Sequence, residues 1–244
     1  MIKQIAIVMA MADEALPIIS QFELELAPNE LSQVLPFKLY RGTVGDLRVS
    51  LIVSGQDSRY AVDNIGTQAA TLMAHSILHL DDFDLVITAG TAGGFAKRGA
   101  DIGTVYLSNE KFVFHDRRVP LDGFDQSAVG HYPAMAVSVM ASELALPTGI
   151  ISTGSSLQKS ADDIDVIERF SAVAKEMEAA AVAWVCWLHQ TPIMAIKSIT
   201  NLLDQPGEAE QQFAANLQFA SQRLAVEVDR VVSYLQGKAI DDLG

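Results

Sequence analysis

The sequence predicts an α/β domain built on a mixed sheet, and three observations carry that reading. Short apolar runs of strand length alternate with stretches whose apolar residues recur at helical spacing. Two strand-like runs flank Val44-Gly45-Asp46, a hairpin signal, so at least one pair of strands is antiparallel. No Pro/Ser-rich linker and no internal repeat interrupts residues 1–244, which are expected to form a single domain.

Taken in order, residues 5–11 read as a buried strand ended by Ala12-Asp13-Glu14, ahead of a helix over 15–22 with Pro17 in its first turn. Residues 24–33 are polar and irregular, and strands over 37–43 and 47–53 form the hairpin. Ile65, Ala69, Leu72, Met73, Ile77 and Leu80 share helical spacing and predict a crossover helix over 63–80. A strand over 85–88 runs into Ala89-Gly90-Thr91-Ala92-Gly93-Gly94, expected as a loop. That loop is either a tight turn or a close backbone approach to a ligand. It matches neither the Walker pattern nor GxGxxG.

Residues 103–114 supply another strand, then the polar cluster His115-Asp116-Arg117-Arg118 and an irregular stretch to Pro133. A helix over 136–144 and a strand over 148–152 follow, and Ser160 is the expected N-cap of a helix over 161–170. Ala172-Val173-Ala174 reads as a strand end, and Ala179-Ala180-Ala181-Val182-Ala183 as a tightly packed helix. Residues 193–199 form the last strand, running into Thr200-Asn201-Leu202-Leu203-Asp204. A long amphipathic helix over 209–236 carries Phe213, Leu217, Leu224, Val228 and Val232 on one stripe; the polar tail 238–244 is expected to fray.

Composition narrows the function. Half the residues are hydrophobic and 19% charged, as in a packed globular protein. The formal net charge of −13 argues against a nucleic-acid polymer or an anionic membrane as partner, but not against a small nucleoside in a local pocket. The single Cys186, inside an apolar run, reads as a core thiol in a reducing compartment. The apolar run at the N-terminus is too short for a signal peptide, and no segment approaches the roughly 20 residues of a membrane span. A cytoplasmic protein is expected.

Glu14, Thr91, Glu178 and Asn201 each fall at the end of a strand, where parallel sheets place their ligands. Glu178 has a second reading, as a carboxylate complementing a helix dipole. The histidines show one i,i+4 pair, His75 and His79, without the Glu of a metalloprotease motif; neither metal nor cofactor is expected. Two carboxylates suit glycosidic-bond hydrolysis, one activating water and one handling sugar hydroxyls.

The runs AMADE at 10–14, AGTAGGF at 89–95, FHDRR at 114–118 and EMEAAAVA at 176–183 resemble the methylthioadenosine/S-adenosylhomocysteine nucleosidases, closest to the plant-type branch. The likeness runs in register from about residue 5 to the C-terminal helix. It implies a nucleoside phosphorylase-like fold, a three-layer α/β/α sandwich around a mixed sheet, and a homodimer acting on a purine nucleoside. It assigns water activation to Glu14 and ribose contacts to Met177 and Glu178. Thr91, Ala92 and Gly93 form the wall beside ribose and base, and Lys197 fills an Arg/Lys position. Leu157, Thr200 and Phe213 complete the expected substrate contacts. Thr88 stands where phosphorolytic relatives carry a phosphate-gripping Arg, which favours water as the nucleophile.

One position departs from the family. The relatives carry an Asp that protonates N7 of the leaving adenine, and here the matching catalytic residue is Asn201. An amide binds a purine edge but cannot deliver a proton. Three outcomes stay open: slower adenine release, a 6-oxopurine nucleoside of inosine or futalosine type as substrate, or binding without turnover.

Overall fold

The computed structural model describes residues 1–28 and 30–244. The elements in order are β1 (Gln4–Met9), α1 (Ala12–Gln21), β2 (Glu25–Leu26), β3 (Lys38–Val44), β4 (Leu47–Val53), α2 (Thr67–Leu78), β5 (Leu85–Gly94) and β6 (Val105–Phe114). Then come α3 (Phe124–Val129), β7 (Tyr132–Pro133), α4 (Ser138–Leu144), β8 (Thr148–Thr153), α5 (Ala161–Arg169), β9 (Ala174–Glu176), α6 (Ala179–His189), β10 (Ile193–Leu202) and α7 (Ala209–Leu235). The result is a three-layer α/β/α sandwich around a mixed sheet. β1 pairs parallel with β4 and β5, whereas β3 and β4 form the antiparallel hairpin.

The sheet also closes on itself. β5 pairs with β10, β10 with β6, β6 with β8, β8 with β9, and β9 back with β5. That circuit brings the carboxyl ends of β5 and β10 face to face with β9, though a hundred residues separate them in sequence. One core cluster lies between the sheet and α1, α4 and α7, built on Ile5, Leu51, Leu224 and Val228. The other lies on the α2 and α6 side, built on Val8, Met73, Val182 and Ala195. The alanines at 179–181 and 183 are at most 1% exposed, which is how α6 seats so closely on the strands. Cys186 is fully buried there, and burial pushes its thiol up to about 12.

Several boundaries differ from the sequence reading. α1 starts at Ala12, so Pro17 sits inside the helix and removes one bond, to the carbonyl four residues back. α2 starts at Thr67 because Gly66 stands at its N-cap with φ +93°, a conformation glycine adopts without strain. The expected loop at 89–94 is strand: β5 continues through it, with Gly93 and Gly94 packed against Leu203, Asn201, Ala100 and Ile199 where a Cβ would not fit. Residues 120–133 contain the short α3 and β7, and β2 forms within 24–33. The tail does not fray. Leu243 is fully buried, and its carbonyl accepts the Val139 and Met140 amides at 3.1 Å each, capping α4, whose own N-cap Val137 offers no side chain.

Candidate active site

At the carboxyl ends of β1, β5 and β10 lies a cavity of about 490 Å³. That is within the range for small-molecule sites. All eleven expected positions line it: Glu14, Thr91, Ala92, Gly93, Leu157, Met177, Glu178, Lys197, Thr200, Asn201 and Phe213. The N-termini of α1, α2 and α6 converge there, so backbone amides and helix dipoles face its carboxylates.

Glu14 is the third residue of α1 and only 4% exposed. Its Oε1 accepts the Thr91 hydroxyl at 2.5 Å and the Thr91 amide at 3.1 Å. Burial raises its pKa above the usual carboxylate range, only partly offset by Thr91 and by the charge of Lys197. A buried carboxylate held this way accepts a proton more readily than a solvated one. The glycine at 90 serves it directly: a Cβ there would sit 3.0 Å from Glu14 Oε2 and 3.6 Å from Lys197 Nζ.

Glu176 and Lys197 form a buried pair at 3.0 Å, side chains 1% and 2% exposed. Sequence reasoning missed Glu176 because its partner lies 21 residues on and two strands away. The only signal was a second carboxylate two residues before Glu178. Glu176 accepts the Glu178 amide at 3.0 Å, the Ala179 amide at 3.0 and 2.9 Å, and the Thr153 hydroxyl. It therefore caps α6. Burial opposes its ionisation, but Lys197, Thr153 and the Ala179 amide together hold its pKa below the ordinary value. Burial works against the Lys197 charge too, and Glu176, Glu178 and Glu14 outweigh it, so the ammonium persists.

Glu178 is half-buried, and its Oε1 accepts the Gly66 amide at 2.8 Å. Burial, then the adjacent Glu176, push its pKa up to about 7. Both readings of this residue hold in part: it faces the cavity, and it caps a helix, though that helix is α2 and not its own α6. Opposite, Asn201 is 3% exposed beyond a β-bulge in β10. Thr200 donates to Asn201 Oδ1 at 3.0 Å, and Nδ2 lies against Gly93, where a Cβ would be 3.1 Å away. Phe213, Leu203, Leu157, Met177, Val62 and Ile65 supply apolar wall.

The charge balance of the wall is acidic. Among the described residues, Asp13, Glu14, Asp63, Glu176 and Glu178 face two cations, Lys175 and Lys197, and no arginine. Lys197 is occupied by Glu176, and Lys175 by the carbonyls of Ser156 and Leu157. Thr88 is 1% exposed. Asp204, three residues past Asn201, points elsewhere: it accepts the Ala96 and Lys97 amides at 2.8 and 2.9 Å. The cluster at 115–118 also lies off the cavity wall. His115 is buried against Ser152 at 2.9 Å, with a pKa pushed down to about 4 by burial and then by Lys175. Asp116 accepts the Ser155 amide and Arg118 pairs with Asp163, so this cluster pins the loop before α5.

A crevice of paired carboxylates beside an apolar slot, at the carboxyl edge of a closed mixed sheet, is the arrangement of an α/β enzyme acting on a small molecule. The model of the Phosphorylase superfamily matches residues 4–233, and the chain belongs to that family. It is 36% identical over 243 residues to the 5′-methylthioadenosine nucleosidase of Arabidopsis thaliana, covering 99% of this chain and 91% of that one. It is 32% identical to the 5′-methylthioadenosine/S-adenosylhomocysteine nucleosidase of the same plant, over 99% and 95%. The solved apo structure of Arabidopsis 5′-methylthioadenosine nucleosidase superposes with a TM-score of 0.97 at 36% identity, covering 99% of both chains.

Proposed function

We propose that the chain hydrolyses the N-glycosidic bond of 5′-methylthioadenosine, releasing adenine and the thioribose, with S-adenosylhomocysteine as a second substrate. The observation that carries hydrolysis over phosphorolysis is the cation supply of the wall: among the described residues it holds no arginine, and both its lysines are engaged, Lys197 by Glu176 and Lys175 by main-chain carbonyls, so a phosphate dianion finds no free cation. Glu14 accepts the proton of that water as it meets the sugar carbon. Glu178, in the fraction ionised around its pKa of about 7, accepts the ribose hydroxyls, and its negative charge favours the cationic sugar of an oxocarbenium-like transition state. As the water oxygen bonds to the sugar carbon the C–N bond to the base breaks, Asn201 Nδ2 donates a hydrogen bond to the purine edge, and the departing adenine takes its proton from solvent, balancing the one held by Glu14. Adenine release from methylthioadenosine in phosphate-free buffer tests this. Prompt release supports it, and release that requires added phosphate overturns it.

A second reading, a 6-oxopurine nucleosidase, is favoured by one observation. Thr200 holds Asn201 Oδ1, so the group turned to the base is a donor, and a 6-oxopurine offers two acceptors, N7 and O6, where adenine offers one. Hypoxanthine release from inosine, faster than adenine release from methylthioadenosine, selects it. The finer setting goes with the first reading: a cytoplasmic homodimer in methionine salvage. Exposed Leu72 on α2 and Trp184, Trp187 and Leu188 on the adjoining α6 supply an apolar face for a second copy. Sedimentation at micromolar concentration checks the dimer.

A further inference from the structure

The segment between β4 and α2, residues 54–66, is a strap that bonds Glu178 and the first residue of α1, the helix that carries Glu14. Ser54 Oγ anchors it to the Ala10 carbonyl at 2.5 Å. Within it, the Asn64 amide and side chain both donate to the Gly55 carbonyl, at 2.9 and 3.0 Å, the Asp57 amide reaches the Val62 carbonyl at 2.8 Å, and Gln56 bridges to Asp63. Its far end supplies the Gly66 amide to Glu178. Three residues earlier, Asp63 Oδ2 accepts the Ala12 amide at 2.8 Å. Asp63 Oδ1 is buried and takes no hydrogen bond among the described residues.

Ala12 opens α1, and Met11 at its N-cap contributes no side-chain bond. A glutamate at the third helical position ordinarily folds back onto its own N-cap amide. Glu14 holds that position and instead reaches across to Thr91. The amide of Ala12, the first helical residue, is met by a residue 51 positions away, while Glu14 turns into the cavity. We infer that Asp63 is a positioning residue for the hydrolytic reaction: by capping α1 from the strap that also holds Glu178, it fixes the spacing of the two carboxylates across the substrate. Asp63 makes this contribution through the Ala12 hydrogen bond.

The inference rests on the hydrolase reading, and two variants separate the bond from general damage to the fold. Asp63→Ala removes the acceptor. Ala12→Pro removes the donor at a first helical position where proline is tolerated, after an extended Met11. Asp63→Asn keeps an acceptor. Misplacing a catalytic group by about 1 Å costs up to about 100-fold, so Asp63→Ala and Ala12→Pro are each expected to lower kcat about 10- to 100-fold with KM changed less than about 3-fold. The double variant should be no worse than either single one. Both should displace the acid limb of the kcat/KM profile, and Asp63→Asn should restore kcat and the limb. Glu14 titrates among Lys197, Glu176 and Glu178, none of which these variants alter, and Asp63→Asn removes the same charge from the wall as Asp63→Ala, so the comparison of those two isolates the hydrogen bond.

A carboxyl-¹³C NMR titration of Glu14 reads the same displacement without turnover. If the wild type proves inactive on every nucleoside tried, the hydrolase reading falls and the titration alone decides the strap. An unmoved Glu14 in Asp63→Ala, Asp63→Asn as impaired as Asp63→Ala, or additive losses in the double variant would each overturn the inference.

Discussion

Glu178→Gln should make the protein more stable at alkaline pH. In the folded chain the Glu178 carboxyl titrates at about 7, against an ordinary value of 4.5. The folded state therefore holds the proton more tightly than the unfolded chain. Its stabilising contribution is fully present below pH about 4.5 and lost as pH rises through about 7. At roughly 1.36 kcal/mol per pKa unit, the loss across that window is about 3 kcal/mol. Glutamine keeps an acceptor for the Gly66 amide and carries no charge. The variant should match the wild type near pH about 4.5 and exceed it by up to about 3 kcal/mol at pH about 8. For a domain of this size that is roughly 6–12 °C in Tm. Thermal unfolding of both proteins across that pH range measures it. Glu14 has a pKa raised in the same direction and repels Glu178, so the difference between variant and wild type also carries the relief of that repulsion, which adds with the same sign. A Tm difference independent of pH would refute the argument that burial and Glu176 hold the proton on Glu178.

Three further outcomes are expected. Asn201→Asp places a titratable acid at the purine edge and should raise adenine release from methylthioadenosine by about 100- to 10,000-fold; steady-state assays check it, and no gain would remove Asn201 as the limiting departure. Lys197→Met leaves Glu176 buried without its cation and should cost about 3–5 kcal/mol in denaturant unfolding, largely recovered in Glu176→Gln/Lys197→Met. Leu243→Ala empties a fully buried site beneath α4 and should cost about 2–5 kcal/mol, measurable as a lowered unfolding midpoint in urea.

Glu14, Thr91, Glu178 and Asn201 were legible because each follows an apolar run: β1, β5 and β10 run parallel toward one edge, and β9, antiparallel to β5, delivers Glu178 to it. The hairpin was legible from its turn, and α5 from Ser160, which makes the full capping box with Asp163. What stayed hidden depends on pairing across the sheet. Glu176 and Lys197 meet only because β5 joins β9 on one side and β10 on the other. Asp63 read as the start of a helix, since nothing local shows that Gly66 turns the chain before Thr67. The glycines at 93 and 94 looked like a loop because crowding by Leu203 and Ile199, and not a turn, is what demands them. The tail looked free because its partner, the amide end of α4, lies a hundred residues back.

The carboxylates of this cavity lean heavily on main-chain hydrogens: Thr91 for Glu14, Gly66 for Glu178, Glu178 and Ala179 for Glu176, Ala12 for Asp63. Every residue but proline carries such a hydrogen, so sequence drift at these positions leaves the donors in place, and alanine scanning passes over them. Their weight becomes measurable only by altering the chain itself, for instance by replacing Gly66 with glycolic acid, which turns one amide into an ester and withdraws a single proton from Glu178.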